Sequence, residues 1–135
     1  MTNEAVNIEL PRIVKRFTVY DTPAIPLNTL LKLSGPLQAA ASAAVDTFAG
    51  IAIEEKTTAD GIVSISAAKD GVWDLYAGGG STISVGELVR LSGPNTIEGD
   101  VTEAMIIAGQ VVGKAYEAVV IGTPKTIRVD VGVIV

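Results

Sequence analysis

Toward the end of the chain, Ile127, Val129, Val131, Val133 and Val135 fall on one side of an extended backbone while Arg128 and Asp130 fall on the other. Successive side chains of a strand point to opposite faces, so this period of two predicts a strand buried on one face. The same alternation runs through Ile83 to Leu91 and through Val63 to Ala67. Turn-forming residues separate such runs at Asp60-Gly61, Asp70-Gly71, Gly78-Gly79-Gly80 and Gly122-Thr123-Pro124. Many short strands at this spacing predict an all-β fold, a small β-sandwich or barrel. Two segments read differently. Leu37 to Val45 is rich in Ala, the best helix former, and is a candidate helix over 37–45. Asp100-Val101-Thr102-Glu103 has the form of a capping box ahead of the apolar run Ala104 to Ala108, which makes 100–108 a second candidate.

The chain also repeats itself. Ile25 to Pro36 aligns without gaps on Ile83 to Pro94, with six of the twelve positions identical. Gly50-Ile51-Ala52-Ile53-Glu54 then matches Gly113-Lys114-Ala115-Tyr116-Glu117, across a longer interval, so the second copy carries a short insertion. A looser match sets Val63 to Ala67 against Ile127 to Val131. This internal pseudo-duplication predicts one β domain over 23–135 built from two similar halves, about 24–77 and 82–135. Leu33 and Leu91 are expected at equivalent buried positions, and Glu54 and Glu117 in equivalent structural roles at strand ends. Gly78-Gly79-Gly80 falls between the halves as a linker. Residues 1–22 precede the first copy and are expected to form an extended N-terminal arm that the core does not need.

Composition narrows the chemistry. At 135 residues one domain is the simplest reading, and with aromatic residues at only 4% its core must be built from Val, Ile, Leu and Ala. The absence of His and Cys removes Ser-His-Asp and Cys-His nucleophilic sites, thiolate chemistry, disulfides and the usual zinc ligands. A net charge of −5 repels a phosphate backbone, so no nucleic-acid partner is expected. No window approaches the ~20 apolar residues of a membrane helix, and Met1-Thr2-Asn3-Glu4 has no basic leader, so a cytoplasmic product without a membrane partner is expected.

Single motifs favour structure over catalysis. Gly109 to Ala115 looks like a phosphate loop but has three residues between its glycines and Ala after the Lys, where a Walker motif needs four and Ser or Thr. The acidic groups at Glu54-Glu55, at Asp70 and Asp74, and at Glu98, Asp100 and Glu103 lack the spacing of a calcium loop. No catalytic residue, cofactor site or metal site is expected, and the chain reads as a non-enzyme. The candidate contacts with other proteins are Ile8, Leu10, Ile13 and Phe17, with Arg12, Lys15 and Arg16, in the arm. Trp73 and Tyr76 are further candidates, Trp73 and Leu75 lying on the expected core face and Tyr76 on the opposite one.

An N-terminal arm, then Val85-Gly86-Glu87-Leu88-Val89-Arg90-Leu91, then the Val111 to Ala115 strand, then the alternating Ile127 to Val135 strand resembles, in this order, the phage capsid cement or head decoration family. The likeness covers about residues 24–135. It implies a non-enzymatic virion protein, made in the host cytoplasm, that binds the capsid exterior and stabilises the head. It also implies the major capsid protein and self-association, as a homotrimer, as the partnerships. The alternative reading is a β-sandwich module of a phage tail or fibre that recognises a carbohydrate, for which one Trp, three Tyr and two Phe are thin material.

Overall fold

The computed structural model describes residues 3–133. Its elements in chain order are β1 (Val6–Glu9), β2 (Val14–Thr18), β3 (Leu30–Gly35), β4 (Gln38–Ala41), β5 (Phe48–Ala52), β6 (Ser64–Ala68), β7 (Gly71–Ala77), β8 (Leu88–Gly93), β9 (Thr96–Glu98), α1 (Glu103–Ile107), β10 (Val111–Ala115) and β11 (Lys125–Val131). The protein is all-β apart from this one short helix. Strands β2, β4, β3, β5 and β6 pair in that order and close into a barrel. Strands β7, β9, β8, β10 and β11 form a second ring in the same order, closed by the β7–β9 pairing. In both rings every pair is antiparallel except the one that closes it.

The duplication holds residue by residue. Thr18 opposite Gln38 recurs as Tyr76 opposite Thr96, Leu33 opposite Ala39 as Leu91 opposite Ile97, and Leu31 opposite Gly50 as Val89 opposite Gly113. The lone bridge from Ile25 to Lys56 recurs from Ile83 to Val119. One match needs correction. Because Ala52 faces Ala67 while Ala115 faces Val129, Ile65 corresponds to Ile127, two residues from the alignment read in the sequence. A slip of two keeps every side chain on its face, so alternation alone does not detect it.

The first barrel is filled by Phe17, Val19, Ile25, Leu31, Ala39, Ala49, Ala52, Ile65 and Ala67. The second core is larger, and Leu30, Phe48, Ile51 and Ala68, which alternate with the interior residues of the first barrel, join it, so the outer face of the first barrel packs on the second core while the two cores stay separate. Trp73 is 1% exposed within it, and its indole N–H donates to the Asp70 carbonyl. Tyr76 is half-buried.

Four expectations change. Residues 1–22 are not an arm outside the domain, because β2 is a barrel strand with Phe17 buried, Val19 is buried beyond it, and β1 adds to β7 of the second barrel. Polar-apolar mixing in so short a segment hid two strands that meet their partners far along the chain; Met1 and Thr2 lie outside the described residues, as does Val135 at the other end. The halves meet at Lys69-Asp70, between β6 and β7, rather than at Gly78-Gly79-Gly80. Those glycines form a turn of the second barrel, pinned where the Gly80 N–H donates to Glu98 Oε1 at 2.8 Å. Residues 37–45 are not helical, since Gln38–Ala41 is the strand that closes the ring and Ala39 is fully buried there; tertiary pairing overrides the Ala preference. The helix at 100–108 is real but shorter, Glu103–Ile107, and its cap is Thr102, whose hydroxyl accepts from the Met105 N–H.

Gly109 follows that helix, with φ of 72°, and leads into β10. A phosphate loop would precede a helix, so the structure sides with the strand-entrance reading of this segment. Gly113 sits inside β10, where any Cβ would press on the Asp130 backbone of β11. Gly113→Ala is therefore expected to lower stability by about 1–3 kcal/mol, as overpacking of a rigid core does. Equilibrium denaturation checks it, and an unchanged midpoint would contradict the close approach.

Candidate interaction surface

The N-terminal segment crosses the junction between the barrels, its strands pairing not with each other but with β7 of the second barrel and β6 of the first. Pro11 has no N–H to pair and stands in the turn between β1 and β2. That turn is tied down by Asp70, whose Oδ1 accepts from the N–H groups of Arg12 at 2.7 Å and Ile13 at 2.9 Å. The Lys69 N–H donates to the Ile13 carbonyl at 2.9 Å. This segment thus braces the point where the chain passes from one barrel to the other, and it leaves apolar side chains outside. Leu10 is 85% exposed, and Ile8, Ile13 and Val14 are exposed as well.

The predicted contact residues separate into groups. Leu10, Arg12 and Ile13 line one face of a groove of about 490 Å³ whose other side includes Tyr116 and Asp130. The Tyr116 hydroxyl donates to Asp130 Oδ2 at 2.7 Å, and this hydrogen bond is the main reason its phenol is pushed above the ordinary value. Lys15, Arg16 and Phe17 instead border a second groove, of about 440 Å³, with Leu33, Pro36 and Leu37. Ile8 lies on β1, whereas Trp73 is in the core and offers no surface. In the second barrel β1 covers the edge of β7 at Val72 to Asp74; the equivalent edge of β2, Val14 to Arg16, has no such strand among the described residues.

Arg16 is less free than its exposure suggests. Its guanidinium donates to Glu54 Oε1 at 2.7 Å, Ser66 Oγ at 3.0 Å and the Ser64 carbonyl at 3.2 Å. Glu54 also accepts the Ser66 backbone N–H, and hydrogen bonds from Ser66 and then Arg16 hold its carboxyl below the usual range. Glu117 accepts the Arg128 N–H in the same way, so the repeated glutamates do play equivalent parts, each securing the edge of the last strand of its barrel. The charged partners are exchanged between copies: Asp74 stands where Arg16 does, and it takes Arg128 through two contacts, at 3.0 and 3.4 Å.

Sequence reasoning missed Lys56. Its ammonium is fully buried at the end of the first barrel, where the second barrel has Val119. It donates to the carbonyls of Asp21 and Thr57 and, at 3.2 Å, to Asp60 Oδ1, joining the β2–β3 loop to its own β5–β6 loop. A charge set among exposed-looking turn residues gives no periodic signal, and only its place opposite Ile25 reveals the burial. Among the described residues, no three side chains of the metal-binding types stand close enough to share an ion.

No protein-family model matches this sequence, and no curated protein matches it either.

The Asp60 cluster makes a pH prediction. The N–H groups of Ile62 and Thr57 and the Lys56 ammonium hold Asp60 down to about 2, below the ordinary value. A carboxyl lowered on folding adds stability above its unfolded pKa, near 4, and loses it as the pH falls toward 2. Between those limits the wild-type protein should lose thermal stability more steeply than Asp60→Asn, measured by circular dichroism; parallel curves would contradict this.

Proposed function

We propose that this protein is a non-enzymatic structural component that binds the exterior of an assembled phage head and stabilises it as a cement or decoration protein, in several copies and as a trimer. The observation that carries the reading is the N-terminal β1–β2 segment. Its backbone is pinned by Asp70, so Leu10, Ile13 and Val14 are held outward on a firm support rather than on a loose arm. Exposed apolar side chains on a braced segment are the surface expected of a protein that covers them elsewhere. The bare edge of β2 beside them is suited to accept an extended segment of the major capsid protein by strand addition. Arg12 and Lys15 give this region a basic character on an otherwise acidic chain, which favours an acidic neighbour and disfavours an interior, DNA-facing position for the body. The sugar-binding alternative loses its best platform, since Trp73 is buried and the well-exposed rings are Tyr20 and Tyr116.

The test uses heads assembled without the protein. Wild-type protein should co-sediment with them and raise the temperature at which they break open, as linkage requires of a ligand that binds the intact state. The double variant Leu10→Asp, Ile13→Asp should fold normally and bind at least tenfold more weakly. No binding by the wild-type protein would reject the reading; equal binding by the variant would reject the β1–β2 segment as the contact.

A further inference from the structure

The two barrels share a fold but not an environment, and the differences fall in two places. The turn between β8 and β9 has Asn95 0% exposed and Gly93 buried, with Pro94 left outside, and Leu91 beside it in β8 is also 0% exposed. It docks on the first barrel, where Asn95 Oδ1 accepts the Leu30 N–H at 2.9 Å. The Ser42 hydroxyl there donates to the Gly93 carbonyl and accepts the Asn95 N–H, each at 3.1 Å. The matching turn of the first barrel, between β3 and β4, is uncovered. Leu33 is 42% exposed and Leu37, which occupies the place of Asn95, is 76% exposed. This also corrects the expectation that Leu33 and Leu91 are both buried: only Leu91 has a barrel lying over it.

The receiving surface shows the converse. Thr29, Leu30 and Ser42 of the first barrel are buried under the docked turn. Their counterparts Glu87, Leu88 and Asp100 line an open pocket of about 540 Å³, together with Thr82, Val101 and Ile106. One barrel therefore has an unused turn, and the other an unused seat for such a turn.

We propose that copies of this chain associate head to tail, the β3–β4 turn of one copy seating in the Leu88–Asp100 pocket of the next and repeating between chains the contact that joins the barrels within one. Three observations favour a second copy as the occupant. The interface already exists once inside the chain, between equivalent strands. The charges are complementary, since Lys15, Arg16 and Lys69 flank the free turn while Glu87 and Asp100 flank the free seat. The apolar chemistry matches too: Leu37 replaces Asn95 in the turn, and Val101 and Ile106, from the inserted segment with α1, add apolar wall to the seat. Leu37 also holds the left-handed φ of 52° that Asn95 holds at 51°. Asn adopts that conformation far more readily than Leu, so neither backbone preference nor burial within its own chain accounts for a leucine there. A contact between unlike surfaces grows into a closed ring when the rotation between copies allows it, and a trimer closed this way presents six barrels.

The inference needs no shell for its test, so its failure is separable from failure of the proposed function. Sedimentation of the full chain is expected to show self-association. Leu37→Glu, which puts a carboxylate against Glu87 and Asp100, and Thr82→Arg, which fills the seat and repels Lys15, should each weaken association tenfold or more. Mixed together, the two variants retain one good turn and one good seat between them and should form a one-to-one dimer that grows no further. Because the chain has no cysteine, Leu37→Cys combined with Thr82→Cys gives a second readout: mild oxidation should link chains into oligomers beyond the dimers that either single variant can form. A monomeric wild-type protein, undiminished association of either variant, a mixture that stays monomeric, or no linkage beyond the single-cysteine controls would each overturn the proposal.

Discussion

Each half of this protein closes on itself through one parallel strand pair, Thr18 beside Gln38 in the first barrel and Tyr76 beside Thr96 in the second. Within the rings the other pairings are antiparallel, and β2–β6 and β7–β11 join the first strand of each ring to its last. Closure removes most of the exposed edge that a five-stranded sheet would otherwise offer to aggregation, leaving Val14 to Arg16 of β2 bare. It also explains the small side chains of β4, since Gln38–Ala41 must approach both β2 and β3 while Ala39 points into a narrow interior already holding Phe17 and Leu31. The second ring solves the same problem with Ile97 in the place of Ala39 and Leu75 in that of Phe17, so volume is exchanged across the barrel and the register is kept.

Once closed, two such barrels have little left with which to recognise each other except turns and outer faces. The contact that joins them adds to the apolar seam of Leu30, Phe48, Ile51 and Ala68 the polar groups of the seat and a turn in a backbone conformation that suits Asn. Its asymmetry follows from geometry: the turn of one barrel sits on the flank of the other, so the remaining turn and flank have no partner within the chain. The N-terminal β1–β2 segment adds a separate brace, with β1 on the second barrel, β2 in the first, and Asp70 holding the connection between them. Self-association and attachment to a larger assembly thus draw on adjoining parts of the surface, which meet at Lys15 and Arg16.

Much of the fold was legible in the alternation of Ile127 to Val131 and in the near-identity of Ile25 to Pro36 with Ile83 to Pro94, because burial on one face and repeated turn chemistry both leave local marks. What the sequence hid was non-local. Nothing near Val14 to Thr18 signals that it closes a ring with residues fifty positions later, and the Ala run at 39–41 carries a helical preference that ring closure overrides. Equivalence of position also does not mean equivalence of burial, as Leu33 and Leu91 make plain. Of the candidate site residues, Leu10, Arg12 and Ile13 do share a groove, whereas Trp73 belongs to the core, and Lys56 carried no signal at all.

The central claim, that one heterologous contact is used both within and between chains, is tested most directly by amide hydrogen exchange read by mass spectrometry on the assembled protein and on the same protein dispersed by dilution. The account predicts that assembly slows exchange in the segments around Leu33 to Leu37 and around Thr82 to Leu88 and Asp100, while the segment around Gly93 to Asn95, already docked inside the chain, stays unchanged. Protection confined to the β1–β2 segment, with both of those segments unaffected, would contradict it.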